Sequence, residues 1–183
     1  PTAANADGAT LIWRDRIGGE VRDMSVASRA DGFTPRRATH DGWDFAGCPV
    51  NGPAIATNGG DLITWYTADG EPTVQAVLLG DGWPRTPITL DAGTGVRGRV
   101  AAAPLGDGWL VAWAREIDDG RAELRARTVS AGGDLGDVVP LGTTSAKRTA
   151  GFPSLVPHGD GVIAVWQDGE PAALVGVRVS GGR

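Results

Sequence analysis

Short apolar runs alternate with Gly- and Asp-rich turns along this chain, and the runs recur as a set. Four tryptophans mark the recurrence. They lie in Leu11-Ile-Trp13-Arg-Asp15, Ile63-Thr-Trp65-Tyr-Thr67, Val111-Ala-Trp113-Ala-Arg115 and Ala164-Val-Trp166-Gln-Asp168, at steps of 52, 48 and 53 residues. Before each comes a run of small residues and a tight turn. The runs are Pro1 to Ala4, Pro53 to Ala56, Val100 to Ala103 and Pro153 to Val156; the turns end at Gly8, Gly60, Gly108 and Gly161. After each Trp comes a second polar turn, twice spelled Asp-Gly-Glu-Pro, at Asp69 to Pro72 and Asp168 to Pro171. A period-2 strand follows: Val21 to Ser28, Val74 to Leu78, Leu124 to Val129 and Leu174 to Val179. Three units add a shorter, more polar strand, Phe33 to Thr39, Arg85 to Leu90 and Asp137 to Leu141, as suits a sheet edge. No long segment shows a 3.6-residue period, so almost no helix is expected.

Four short strands repeated about every 50 residues are the signature of a β-propeller. The expected fold is therefore all-β: a propeller fragment of about four blades, three with four strands and a last with three. The blades fall at about 1–44, 52–91, 99–143 and 152–180 of a single region spanning 1–183. Alanines belong on the innermost strand, where the ring axis is crowded. The tryptophans belong one strand out, where facing blades leave room for a large flat ring; exposed sugar-stacking platforms are the alternative. The fourth unit stops after its third strand and nothing precedes Pro1 to complete it. Arg183 thus reads as a C-terminus and Pro1 as a processing, excision or truncation point. The array is expected to be open, with upstream blades of the full-length protein as its partners.

Composition narrows the function classes only a little. The formal net charge of −5, with no Lys/Arg stripe, argues against a nucleic-acid partner. No run approaches the ~20 apolar residues of a membrane span. Cys48 is the only cysteine, so no intrachain disulfide forms. It reads as a small buried filler, with a reactive thiol or metal ligand as the alternatives. His40 and His158 lie in different units without ligand spacing; no metal and no cofactor is expected. The Asp-Gly turns are default hairpin turns before they are calcium loops.

Asp41-Gly-Trp-Asp-Phe-Ala-Gly-Cys-Pro-Val-Asn-Gly-Pro53 and the strands to Trp65 resemble bacterial sialidase-like proteins, of the exo-α-sialidase or BNR-type propeller family. Gly98-Arg-Val100 and Arg148-Thr-Ala-Gly-Phe-Pro153 fit the same resemblance. It covers essentially the whole chain, as the C-terminal part of a six-bladed ring. It implies a bacterial extracytoplasmic protein, secreted or lipid-anchored, that binds a polar or acidic carbohydrate. The Asp-box turns of true sialidases are decayed here: Ser28-Arg-Ala-Asp31-Gly32 has its Asp one place late, and Gly80 to Trp83 and Ser130 to Gly133 depart further. The fold inference survives this decay better than the chemistry does.

Alternating strand direction brings the connections between blades and the turns after the Trp strands to one face. Cations lie near the axis there and carboxylates further out. Exo-sialidase chemistry needs arginines that grip a carboxylate bidentately, a Tyr nucleophile activated by a Glu, and an acid/base carboxylate. The substrate-binding candidates are Arg99, Arg148, Arg97, Asp44 and Asn51, with Asp44 expected between the guanidinium groups. Solvated loop charges paired with nearby Asp are the alternative. Tyr66 is the only tyrosine, and a packing role competes with a nucleophilic one. No catalytic residue is assigned: glycoside hydrolase activity stays open, and a non-catalytic protein-interaction scaffold is the second reading.

Overall fold

The computed structural model describes residues 2–5, 8–80, 86–148, 150–169 and 171–181. It is all-β, with a single 3-10 turn, at Arg29–Asp31, among the described residues. The first sheet comprises β1 (Thr2–Asn5), β2 (Gly8–Arg14), β3 (Met24–Ser28) and β4 (Arg36–Arg37). The second comprises β5 (Ala54–Thr57), β6 (Asp61–Thr67), β7 (Thr73–Leu79) and β8 (Ile88–Ala92). The third comprises β9 (Val96–Leu105), β10 (Gly108–Asp118), β11 (Arg121–Val129) and β12 (Val139–Ser145). The last holds β13 (Ser154–His158), β14 (Gly161–Asp168) and β15 (Ala173–Ser180). Each sheet is an antiparallel meander in chain order, and among the described residues no ladder joins one sheet to another. These are four blades of a propeller, three four-stranded and one three-stranded, in an open array.

Some strand limits differ from those the pattern suggests. The outer strands β8 and β12 lie toward the C-terminal side of the expected segments and β4 is a two-residue strand within its own, because pairing to the neighbouring strand, not alternation, sets an edge strand's ends. Val21 makes isolated bridges to Ile17 and Asp44 and does not join β3. β9 starts at Val96, ahead of the alanine run, through a register shift in its pairing with β10. Trp83 and Arg85 lie outside the described residues. Among the decayed Asp-box turns, Ser28 Oγ donates to Asp31 Oδ2 (3.0 Å) and Ser130 Oγ to Asp134 Oδ2 (3.1 Å), so both still close as polar turns between the third and fourth strands.

The blades adhere through apolar side chains of their facing sheets. Ile12, Met24 and Val26 of the first blade pack with Ile55, Ile63 and Trp65 of the second. Leu62, Val74 and Leu90 of the second pack with Val111 and Trp113 of the third. Leu124 and Ala114 of the third pack with Ala164 and Trp166 of the fourth. Trp65 and Trp113 are fully buried and Trp166 almost so. A recurring polar contact accompanies this packing. Each indole N–H donates to the outer part of the preceding blade: Trp65 Nε1 to Asp41 Oδ2 (2.7 Å), Trp113 Nε1 to Asp91 Oδ2 (2.8 Å) and Trp166 Nε1 to the Thr143 carbonyl (3.1 Å). A buried indole thus gains a partner and fixes the angle between blades. Trp13, on the outward side of the first blade, is half-buried.

Candidate functional site

The connection from β4 to β5, the C-terminal end of β6, the start of β9 and the connection from β12 to β13 meet on one face. Between them lies a cavity of about 550 Å³ lined by Trp43, Phe45, Cys48, Asn51, Tyr66, Arg97, Arg99 and Arg148, among others. Three guanidinium groups therefore border one space, and no described carboxylate lines it.

The three arginines are held differently. Arg97 and Arg99 flank Gly98 at the register shift in β9, where the backbone turns left-handed at Gly98 (φ 70°) and Arg99 (φ 58°). An irregularity of this kind re-aims side chains. A left-handed Arg is strained and persists only where its surroundings fix it. Asn51 does so: its Nδ2 donates to the Arg97 carbonyl (3.1 Å) and its Oδ1 accepts from Arg99 N–H (3.0 Å). Gly98 is needed at the centre, since an added Cβ would stand 2.7 Å from Tyr66 Cβ and 3.0 Å from Asn51 Cγ. Asn51 was expected to bind substrate; the structure shows its side-chain amide engaged in bracing the arginine segment.

Arg99 is 5% exposed. Its guanidinium donates to the carbonyls of Ser145 (3.2 Å), Ala146 (2.8 Å) and Lys147 (2.7 Å) and lies over the Phe152 ring, 5.5 Å from its centroid. Among the described residues it forms no ion pair. Burial, and then the neighbouring Arg97, lower its pKa against a smaller opposing effect of Glu116. Arg97 pairs with Glu116 and donates to the Thr94 carbonyl (2.8 Å), yet stays 39% exposed. Arg148 is exposed and donates to the Cys48 carbonyl (2.8 Å). Arg97 and Arg148 thus retain donors for a ligand, whereas Arg99 supplies charge and fixes the loop.

The aromatic side is built from the β4–β5 connection and Tyr66 of β6, backed by Arg14 of the first blade. Trp43 is buried, with the Arg14 guanidinium carbon 4.9 Å from its centroid, Phe45 stacked at 5.2 Å and Tyr66 edge-on at 5.6 Å. Arg14 donates to the carbonyls of Asn51 (2.9 Å), Arg22 (2.9 Å) and Tyr66 (2.5 Å) and so ties this wall together. Burial brings its pKa down to about 10, against the support of Asp41 and Asp23; it remains a cation at neutral pH. Burial raises the Tyr66 pKa and outweighs the pull of Arg97 and Arg14, so Tyr66 lines the cavity as a neutral phenol.

Two expectations are corrected. Asp44 is exposed, bridges Val21 through its backbone and lies outside the cavity lining, because the β4–β5 connection pairs back onto the first blade there. Cys48 is exposed on the cavity wall and is not a buried filler. Phe45 and Val50, both exposed at the rim, escaped sequence reasoning, since nothing in their pattern separates them from ordinary loop positions. Of the carboxylates expected further out, Glu20 pairs with Arg16 and Arg22, and Glu116 pairs with Arg97. Among the described residues no three His, Cys, Asp or Glu side chains gather in metal-binding proximity.

No protein-family model matches the chain, and no curated protein matches it. Among solved structures it is similar to an α-L-arabinofuranosidase from Clostridium thermocellum ATCC 27405, with TM-score 0.53 and 9% identity. That likeness covers 91% of this chain and 59% of the arabinofuranosidase, so the chain spans about three-fifths of that protein's length. It is also similar to an exo-1,5-α-L-arabinanase from a bovine ruminal metagenomic library, with TM-score 0.48 and 8% identity, over 97% of this chain and 72% of that one. Only the first likeness bears on the fold, and at such identity it shows the propeller and nothing about activity.

Proposed function

We propose that this chain is a sialidase-like propeller region that binds a sugar acid in the cavity between its first three blades. One observation carries the reading: three guanidinium groups border a cavity whose described lining contains no carboxylate. Like charges gathered around a partly desolvated space favour an anion there, and a guanidinium fork matches a carboxylate bidentately. Arg97 and Arg148 supply the fork, and buried Arg99 deepens the positive field. The rings of Phe45 and Tyr66 offer apolar surface to the C–H face of a pyranose, and 550 Å³ lies within the range of small-ligand sites. The resemblance to extracytoplasmic bacterial sialidase-like proteins belongs to the same proposal.

The proposed activity is recognition, with hydrolysis outside what these residues supply. A sialidase Tyr needs a carboxylate partner to ionise, and the charged groups acting on Tyr66 are Arg97 and Arg14. The similarity to an arabinofuranosidase adds to the case for a carbohydrate ligand. Calorimetric titration with N-acetylneuraminic acid and with a neutral hexose tests the reading. The acid should bind and the hexose should not, and Arg97→Ala and Arg148→Ala should each weaken the acid about tenfold or more. Equal or absent heats for the two sugars would refute it and leave the scaffold reading.

A further inference from the structure

Three of the four blade tryptophans share one kind of apolar partner. In the pairing of second and third strands, Met24 lies opposite Arg14, Val74 opposite Tyr66, Leu124 opposite Ala114 and Leu174 opposite Gln167, in each case the residue that follows the tryptophan. These four side chains therefore hold the same place in their blades, on the sheet face away from their own tryptophan. Met24 packs in one cluster with Trp65 of the next blade, Val74 with Trp113 and Leu124 with Trp166. All three are fully buried, whereas Leu174, the fourth of the set, is 82% exposed.

Val156, Ile163 and Val165 share this face with Leu174, opposite the face on which Leu155, Val175 and Val177 meet the third blade. Val156 is exposed, and Ile163 and Val165 are only partly buried. Arg178 lies on the same face, with its charge compensated by Asp160. On the first blade, Leu11 and Trp13 point away from the second blade, and both are only partly buried. The chain thus carries an open tryptophan face on its first blade and an open aliphatic face on its fourth. These are the two halves of the contact that joins its blades three times over. Its own first and fourth blades do not meet there: each apolar cluster among the described residues unites adjacent blades only.

We infer that the chain associates head to tail with a second copy of itself, the Leu174 face of one copy's fourth blade seated on the Trp13 face of the other's first blade. The occupant follows from continuity with the packing between blades, since a second copy presents the same kind of tryptophan face that covers Met24, Val74 and Leu124. Clustered exposed aliphatic side chains mark association surfaces, and tryptophan is a frequent anchor in them. The contact joins two different patches, so it either closes into a ring or continues into a longer array. It leaves the cavity bordered by Arg97, Arg99 and Arg148 untouched and is independent of the sugar-acid reading.

The test is sedimentation velocity on the whole chain over a concentration series, repeated on Leu174→Asp, on Trp13→Ala and on an equimolar mixture of the two. The wild type should sediment as more than one chain, with an average mass that rises with concentration. Each substitution should raise the dissociation constant about tenfold or more, as loss of an apolar anchor does. Leu174 is so exposed that Leu174→Asp should leave the melting temperature of the dilute chain unchanged, so this arm stands even where Trp13→Ala loosens the first blade. The mixture should regain a two-chain species, because one variant keeps an intact Trp13 face and the other an intact Leu174 face. A wild type that stays a single chain at the highest concentration reached would overturn the inference. So would an association that survives Leu174→Asp, or a mixture of folded variants without a two-chain species, which is the behaviour of a symmetric contact.

Discussion

Replacing Trp113 with alanine tests how the blades hold together. Its indole is fully buried between the second and third blades, and its Nε1 donates to Asp91 Oδ2 at 2.8 Å. Truncating a buried aromatic ring costs ~3–5 kcal/mol through lost burial and the cavity left behind. The substitution also removes a donor from Asp91, which keeps its contact with Arg115 Nη1 at 2.6 Å, so that carboxylate is not stranded. The cavity therefore dominates. For a chain of this size each kcal/mol lowers the melting temperature by ~2–4 °C, giving a drop of roughly 6–20 °C by calorimetry. Trp13 provides the control: it occupies the equivalent strand position but is half-buried, so Trp13→Ala should cost less than half as much. Equal losses at the two positions, or a loss under ~1 kcal/mol at Trp113, would refute the claim that buried indoles join the blades.

Further outcomes follow from single contacts. Gly98→Ala should destabilise the fold by ~1–3 kcal/mol and weaken sugar-acid binding, whereas Gly59→Ala, at nearly the same φ of 69° but with nothing within 4 Å of the added Cβ, should spare binding. Urea titration with parallel binding assays separates the two. Burial raises the Asp41 pKa despite the Trp65 hydrogen bond and Arg14. With the folded value above the unfolded one, its stabilising contribution is full at acid pH and is lost as pH rises through the folded value. Asp41→Asn keeps an acceptor for the indole, so its stability relative to wild type should rise from about pH 4 to about pH 7, measured by melting at each pH. Cys48, exposed on the cavity wall, should be alkylated by iodoacetamide, and saturating N-acetylneuraminic acid should slow the reaction.

The blades were legible because their cause is local and periodic. Alanines recur on the crowded inner strand, a Trp on the next strand, and Gly/Asp at each turn, so the pattern carries the fold. The arginines were legible as blade-entrance residues for the same reason, and the structure brings Arg97, Arg99 and Arg148 to one cavity. What they do there was not legible. Arg99 spends its donors on carbonyls 46 to 48 residues away, a tertiary choice that leaves no trace around position 99. Asn51 braces a left-handed turn 46 to 48 residues downstream, which Gly98 hints at but does not identify. Asp44 shares with the arginines a place on a connection between blades, and backbone pairing with Val21 carries it away from them. The indole contacts to Asp41 and Asp91 were hidden likewise, although the acceptors precede their tryptophans by 24 and 22 residues and could be sought at that spacing in other blades.

The central claim is that the cavity bordered by Arg97, Arg99 and Arg148 is an anion site for a sugar acid. A crystal structure of the chain with N-acetylneuraminic acid tests it most directly. The account predicts the sugar between Phe45 and Tyr66, with its carboxylate within hydrogen-bond reach of Arg97 and Arg148 and with Arg99 still bonded to the Ser145, Ala146 and Lys147 carbonyls. A sugar bound with its carboxylate turned away from these arginines, or seated on another face of the blades, would contradict it.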